Sequence, residues 1–491
     1  MNGQTAPPRK RRWGRILLFI TGILVILLVA GYFIAHAIVR KKVDEALRGL
    51  PPAWQVGYKT LQVNLLAGSL AIDGIAGHYR PDESHADTFS IENVHISGLH
   101  MMEFWRSHRL LIDQVRLTGL KVTGKEASKE SFAVEGQIEL DSVYRDTTGA
   151  QGAGGIRVLA EKARYLAAGM NETMHLRGFE LDSKKRLLRM DTLRITPNLD
   201  KEEMGRVKGH QVDVVESSSE GIDVKNLDVM ALLQHELSAD EISIRSNEVY
   251  VFRDRQLPLE PGEKAMPMEE LKSMPLSLRV RRLKMGTTTF AYEEFPKKGN
   301  KTGTLTIYRM RGTLAPLINK PVNGDPAYIT MTTEGSLMNS GSVTATTKMP
   351  LHKGDPYIVE GAFHELDVTK LNNPAENLGK LHLESGMLNS LAFRFEMNDE
   401  KATGQIVGEY HDLVVDKLKE NSDDKKVDKL KSYALKKFII PKDKDKSLPV
   451  SKRTGKVNYK RDKERYFFYY LLHALLVGVK SSFSVGFLLP G

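Results

Sequence analysis

The chain has 491 residues, 41% of them hydrophobic, and carries 71 Lys and Arg against 61 Asp and Glu, a net charge of +10. Cysteine is absent, which excludes disulfides, thiolate-held zinc, iron–sulfur clusters and thiol catalysis together. The surface is therefore mixed and only mildly basic, and the length exceeds one ordinary domain.

Residues 16–39 form a run of twenty-four without a formal charge. As a helix this run is roughly 36 Å long, enough to cross a hydrocarbon core of about 30 Å. Arg9, Lys10, Arg11, Arg12 and Arg15 precede it, with Trp13 at the interface, and Tyr32, Arg40, Lys41 and Lys42 mark the far end. The expectation is a single-pass anchor in an inner membrane, with residues 1–15 a basic cytoplasmic tail and the bulk of the chain periplasmic. Ala35-His36-Ala37 offers a signal-peptidase pattern, but the apolar stretch before it, about nineteen residues, is longer than a secretory signal needs.

Beyond the anchor, short β-type runs recur with turn residues between them, as in Leu61-Gln62-Val63-Asn64-Leu65 and Glu248-Val249-Tyr250-Val251-Phe252. Alternation predicts antiparallel meander with one apolar face. A finer pattern, apolar-x-x-apolar-x-apolar, occurs at Tyr58, Ile91, Ile112, Leu176, Met190, Val224, Val280 and Phe363 as first residues. About seven such hexads arise by chance, so their number carries nothing. Their pairing at Ile91 and Ile112, and at Leu176 and Met190, points to degenerate repeated hairpins. The three-residue step breaks strand parity, which predicts an extra bulge residue.

The segment Met266-Pro267-Met268-Glu269-Glu270-Leu271-Lys272-Ser273-Met274 predicts a short helix begun by Pro267, dividing the β region at 261–275 into parts 40–260 and 276–416. Residues 417–465 are charge-dense and read as helical or flexible. Within residues 442–465, ten Lys or Arg face Asp443, Asp445, Asp462 and Glu464, a surplus of six that suits an anionic lipid surface better than nucleic acid. Residues 466–491 begin with an aromatic, apolar stretch too short to span a bilayer. Tyr466, Phe467, Phe468, Leu471, Leu472 and Leu475 are candidates for docking to a membrane interface, and capping the end of a sheet is the alternative.

The best-patterned hairpin runs from Gly386 to Val415. Leu391, Phe393, Phe395 and Met397 line one face, and Ala392, Arg394 and Glu396 the other. As one wall of an open groove, these four would shield acyl chains. No catalytic constellation accompanies them. His235-Glu236 and His364-Glu365 lack the second ligand of a zinc helix, since Ala239 and Val368 stand four residues after each histidine. Gly152-Ala153-Gly154-Gly155 lacks the lysine of a phosphate loop. No cofactor, metal or catalytic residue is expected.

Several segments carry a family resemblance: the N-terminal helix followed by Tyr58-Lys59-Thr60-Leu61-Gln62-Val63, the stretch Val249-Tyr250-Val251-Phe252-Arg253-Asp254, Phe290-Ala291-Tyr292-Glu293-Glu294, and the hairpin from Ala402 to Leu413. In these the chain resembles AsmA/TamB-type bacterial envelope proteins, in the AsmA-like group of Bacteroidota. The resemblance implies a mainly β fold, an elongated, curved antiparallel sheet of U section, anchored in the inner membrane. It also implies phospholipid carriage between membranes or support of outer-membrane assembly, without enzymatic activity, with membrane lipids and other envelope proteins as partners. A structural scaffold recruiting envelope proteins is the alternative, and an anchored hydrolase the remote one.

Overall fold

The computed structural model describes residues 41–482 apart from 42–43, 46, 65–66, 81–84, 127–130, 167–170, 420–425 and 435–450. The membrane-spanning run expected at residues 16–39 lies outside the described residues. Among the described residues no helix is long and apolar enough to cross a membrane. The fold is mainly β, with twenty strands and a few short helices among the described residues. It divides into two units, residues 1–193 and 194–491.

In the first unit, β1 (Trp54–Gly57) and β2 (Thr60–Asn64) lie end to end along β3 (Ser69–Tyr79). From β3 the chain meanders antiparallel through β4 (His85–Leu99), β5 (Leu110–Glu126), β6 (Ser131–Arg145), β7 (Gln151–Leu166) and β8 (Glu172–Asp182). The unit ends inside β9 (Leu187–Pro197). A short helix, α1 (Met101–Ser107), joins β4 to β5.

The apolar positions of the hexads at Ile91 and Ile112 are all buried: Ile91, Val94 and Ile96 on β4, then Ile112, Val115 and Leu117 on β5. Register aligns them from strand to strand, with Ile72 opposite Val94, Val94 opposite Leu117, and Leu117 opposite Ile138. Leu70, Ile72, Ile75, Leu140 and Val143 complete the same core.

The parity break is not mainly the two-against-one bulge that the three-residue step predicts. Between β3 and β4, Asp73 faces Asn93 and Ile75 faces Ile91, so Gly74 and Glu92 are skipped together and register is kept. Gly119 is likewise skipped opposite Glu92, and Gly98 opposite Asp113. Gly74, Gly98 and Gly119 all have φ between 63° and 67°, which an L side chain adopts only with strain. A Cβ on Gly119 would fall on the Glu92 side chain, and one on Gly98 on that of Asp113. Each crease therefore places two successive residues outward on both strands, which bends them while the apolar face stays inward. Register shifts do occur in this unit between Leu117 and Leu120 against β6 and between Glu135 and Gly136 against β7.

The second unit opens with α2 (Lys201–Lys208), β10 (Asp213–Lys225), α3 (Val229–Leu233) and β11 (Glu236–Asp254). β12 (Ser277–Phe295) runs parallel to β11. A parallel neighbour requires the chain to return to the start of β11 first, and the connection carries α4 (Pro267–Ser273), the helix that Pro267 predicts. The backbone N–H of Met266 donates to Glu269 Oε2 at 3.0 Å, which closes the first turn of α4.

The unit then continues antiparallel through β13 (Gly303–Ala315) and β14 (Leu317–Ile318), which both pair with β12, then β15 (Tyr328–Leu337), β16 (Gly341–Pro350) and β17 (Tyr357–Asp367). After α5 (Asn372–Gly379) come β18 (Leu381–Met397), β19 (Lys401–Lys417), α6 (Lys429–Ala434), β20 (Ser451–Lys460) and α7 (Phe467–Ser482). The region 417–465, read from sequence as helical or flexible, thus contributes a ten-residue strand that pairs with β19 from Lys401 to Tyr410. Gly455, Val457 and Tyr459 alternate inward with Lys456, Asn458 and Lys460 outward, and pairing supplies the rest.

Candidate functional site

The four residues singled out on β18 share one face, and cross-strand register extends that face in rows. Val343, Phe363 and Leu391 align on β16, β17 and β18. The next row is Ala345, Gly361, Phe393 and Ile406, and beyond it Val359 and Phe395, then Tyr357, Met397, Ala402 and Tyr459. Aromatic rings bind these rows to one another: Phe363 lies 5.8 Å from Phe393, and Phe393 stacks on Phe395 at 5.4 Å between centroids. Gly361 leaves room for this, since a Cβ there would meet the Phe393 ring. Arg394, on the opposite face, is exposed and pairs with Glu360.

Burial along this face is graded. Met397 and Phe395 are fully buried, whereas Phe393, Leu391, Phe363 and Val343 are only half-buried. The cause is α7, which lies against β19 and β20 with Tyr470 and Ala474 fully buried. Phe467, Leu471, Leu475 and Val479 pack into the same core as Phe395, Met397, Ile406 and Val457. Gly478 and Gly455 allow the close approach, because a Cβ on Gly455 would strike the Gly478 carbonyl. Met266 and Met268 of the α4 connection join the core, and the Met268 N–H donates to the Tyr357 hydroxyl at 3.0 Å. Burial pushes the Tyr357 hydroxyl up to about 12, so it stays protonated.

The residues expected to dock to a membrane are therefore placed against the sheet. Phe467, Leu471 and Leu475 face inward, and Leu472 is half-buried. Tyr466 lies beneath two cations, Arg253 at 5.1 Å and Lys264 at 5.3 Å from its ring. Phe468 keeps 38% of its surface exposed and sits near Phe290 and Tyr292, at 6.1 and 5.5 Å.

Part of the basic surplus is engaged just ahead of α7. Arg461 is buried, pairs with Asp399 and donates to the Lys264 carbonyl. Lys463 bridges Asp399 at 2.7 Å and Glu400 at 2.9 Å. Arg465 reaches the Gln211 side chain at 3.1 Å and lies 4.9 Å from the Tyr469 ring. Sequence reasoning missed these roles because the acids and carbonyls that receive the cations lie as far as 254 residues upstream.

A compact titratable cluster is built on Lys201, Tyr250 and Glu293. Lys201 Nζ donates to Tyr250 Oη and Glu293 Oε2, each at 3.0 Å, and the Tyr250 hydroxyl donates to the same carboxylate. Burial would raise the Glu293 carboxyl, yet hydrogen bonds from Tyr250, Thr302 and Lys201 outweigh it and hold it below the usual range. Burial would lower Lys201, and its partners Tyr250 and Glu293 raise it instead. A cation, an anion and a protonated phenol that satisfy one another clamp α2, β11 and β12 together. Among the described residues, no three His, Cys, Asp or Glu are arranged to hold a metal ion.

No protein-family model matches the chain, and no curated protein matches it.

Proposed function

We propose that this chain is a membrane-anchored, non-enzymatic carrier of phospholipid acyl chains, working in the bacterial envelope in the manner its AsmA-like resemblance implies. The carrying observation is the half-buried apolar face of Val343, Phe363, Leu391 and Phe393, continuous from strand to strand and backed by polar residues on the other side. Such a face covers a hydrocarbon tail by burial at roughly 25 cal/mol per Å² while the headgroup stays in water, and it distinguishes poorly between tails. In this account residues 16–39 fix the protein in the inner membrane, and envelope proteins supply whatever contact lies beyond.

A photo-crosslinker at Phe393 should capture phospholipid from the full-length protein in membranes, and one at Arg394 should not, because neighbours on a strand face opposite sides. Equal capture at both positions, or none at either, overturns the proposal. The first unit favours a second function, a dry scaffold, because its face is closed: Ile91, Val94 and Ile96 are each at most 1% exposed. A scaffold of that kind predicts no lipid adduct at Phe393.

A further inference from the structure

We infer that the strand face beneath α7 is a second stretch of acyl-binding surface, and that α7 is its displaceable occupant. This rests on the acyl-carrying role proposed for Phe393 and Leu391, and extends it two rows along the same strands.

Three observations carry the inference. The face does not change character where α7 begins: Phe395 stacks on Phe393, and Met397, Val359 and Tyr357 continue the apolar rows. What distinguishes the two halves is cover, and most of it is α7, a single helix of 16 residues, joined by Met266 and Met268 of the α4 connection at Tyr357. Next, α7 is apolar on both sides. Phe467, Leu471 and Leu475 point into the core, while Phe468 and Leu476 are 38% and 39% exposed and Leu472 is half-buried. A helix that permanently caps a sheet in water presents a polar outer face, whereas one that exchanges with hydrocarbon has no need of it.

The attachment, finally, is asymmetric. Ahead of α7, Arg461 and Lys463 are pinned to Asp399 and Glu400, so the chain entering the helix stays fixed. Among the described residues few polar contacts from α7 reach the sheet: the Tyr470 hydroxyl donates to the Asn398 carbonyl at 3.2 Å, Ser481 Oγ accepts from the Lys456 N–H at 3.0 Å, and the Tyr469 hydroxyl meets that of Tyr459. Lifting α7 therefore breaks few hydrogen bonds and exposes apolar surface that an arriving acyl chain re-covers.

The test uses the unsubstituted full-length protein and two variants. Vesicles of palmitoyl-oleoyl phosphatidylglycerol containing a diazirine-tailed phosphatidylglycerol are irradiated with each protein, and adducts are mapped by mass spectrometry. Unsubstituted protein should carry adducts at Phe363, Leu391 and Phe393, with those at Phe395 and Met397 at least fivefold weaker. Gly455→Val drives a side chain into the Gly478 carbonyl, and Gly478→Leu lifts the helix from its own side against Val457 and Ile406. Either should bring labelling at Phe395 and Met397 up to that at Phe393, with protease resistance of the strands retained.

Labelling that stays confined to Phe393 in both folded variants overturns the inference and leaves the carrier role standing. Unfolding of both variants overturns it as well, because α7 is then part of the fold. Equal labelling of Phe393 and Phe395 before any substitution means that α7 covers nothing. Absence of adducts at Phe393 throughout removes the carrier role itself.

Discussion

Replacing Gly119 by alanine should locally open the β4–β5 hairpin, by an amount that its geometry sets. Gly119 sits at φ 63°, where an L residue costs about 1–2 kcal/mol. The new Cβ would also fall on Cβ, Cγ and Cδ of Glu92, too near the backbone for rotation of that side chain to relieve, and overpacking of this kind costs about 1–3 kcal/mol. Together the loss is about 2–5 kcal/mol, and its lower end alone speeds exchange through local opening about thirtyfold. Native-state hydrogen exchange on amides of β4 and β5 in the full-length protein reads this directly. The decisive comparison is Glu92→Gly, which alone costs about 0.5–1 kcal/mol and removes the obstructing side chain. In the double variant the steric part should vanish, leaving a coupling of about 1–3 kcal/mol. Strict additivity, or a Gly119→Ala effect under about 0.5 kcal/mol, would show that the crease is not built on this contact.

Phe395→Ala, which empties a fully buried position, should destabilise the second unit by about 3–5 kcal/mol, while Phe393→Ala at its half-buried neighbour costs clearly less; denaturation followed by protease resistance ranks the two. His473 supplies a pH dependence. Burial holds its imidazole below the usual 6.5; the Tyr469 carbonyl and Glu294 pull the other way, and Arg255 and Lys480 add to the lowering, with the rings of Tyr469 and Tyr459 against it. A base depressed in the folded state contributes stability above pH 6.5 and loses it as pH falls from there toward the folded value, so amide protection of α7 should drop in that window and not in His473→Gln.

What the sequence made legible is what alternation alone can carry. Leu391, Phe393, Phe395 and Met397 fall on one face because strand parity requires it, and α4 begins at Pro267 because that residue suits a first turn. The parity break at Ile91 and Ile112 was visible, but its cause was only half visible. The cause lies in the pairing of Gly74, Gly98 and Gly119 with Lys59, Asp113 and Glu92, which exists only once the strands are in register. The grading of burial from Met397 to Leu391 was not legible at all. It is imposed by a helix that returns some seventy residues later, and no local pattern encodes that contact. For β20, the alternation Gly455, Val457, Tyr459 was a usable signal, masked by the density of lysine and arginine around it.

The balance between α7 and an acyl chain comes down to its polar contacts. In water, α7 is held by burial of Phe467, Tyr470, Leu471, Ala474 and Leu475. A hydrocarbon tail on the same rows gives the sheet an equivalent cover, and a lifted α7 in contact with lipid keeps its own apolar surface out of water, so most of the burial term cancels. What does not cancel includes the hydrogen bond from Tyr470 to the Asn398 carbonyl, worth about 0.5–1.5 kcal/mol, since lipid tails offer no replacement. Tyr470→Phe removes that hydroxyl and keeps the ring contacts with Tyr459 and Phe467. The ratio of lipid adducts at Phe395 to those at Phe393 should then rise about two- to twelvefold, while protease resistance of the strands is unchanged. A ratio that does not move would mean that α7 is held by its packing alone, and that hydrocarbon does not compete with it for the sheet.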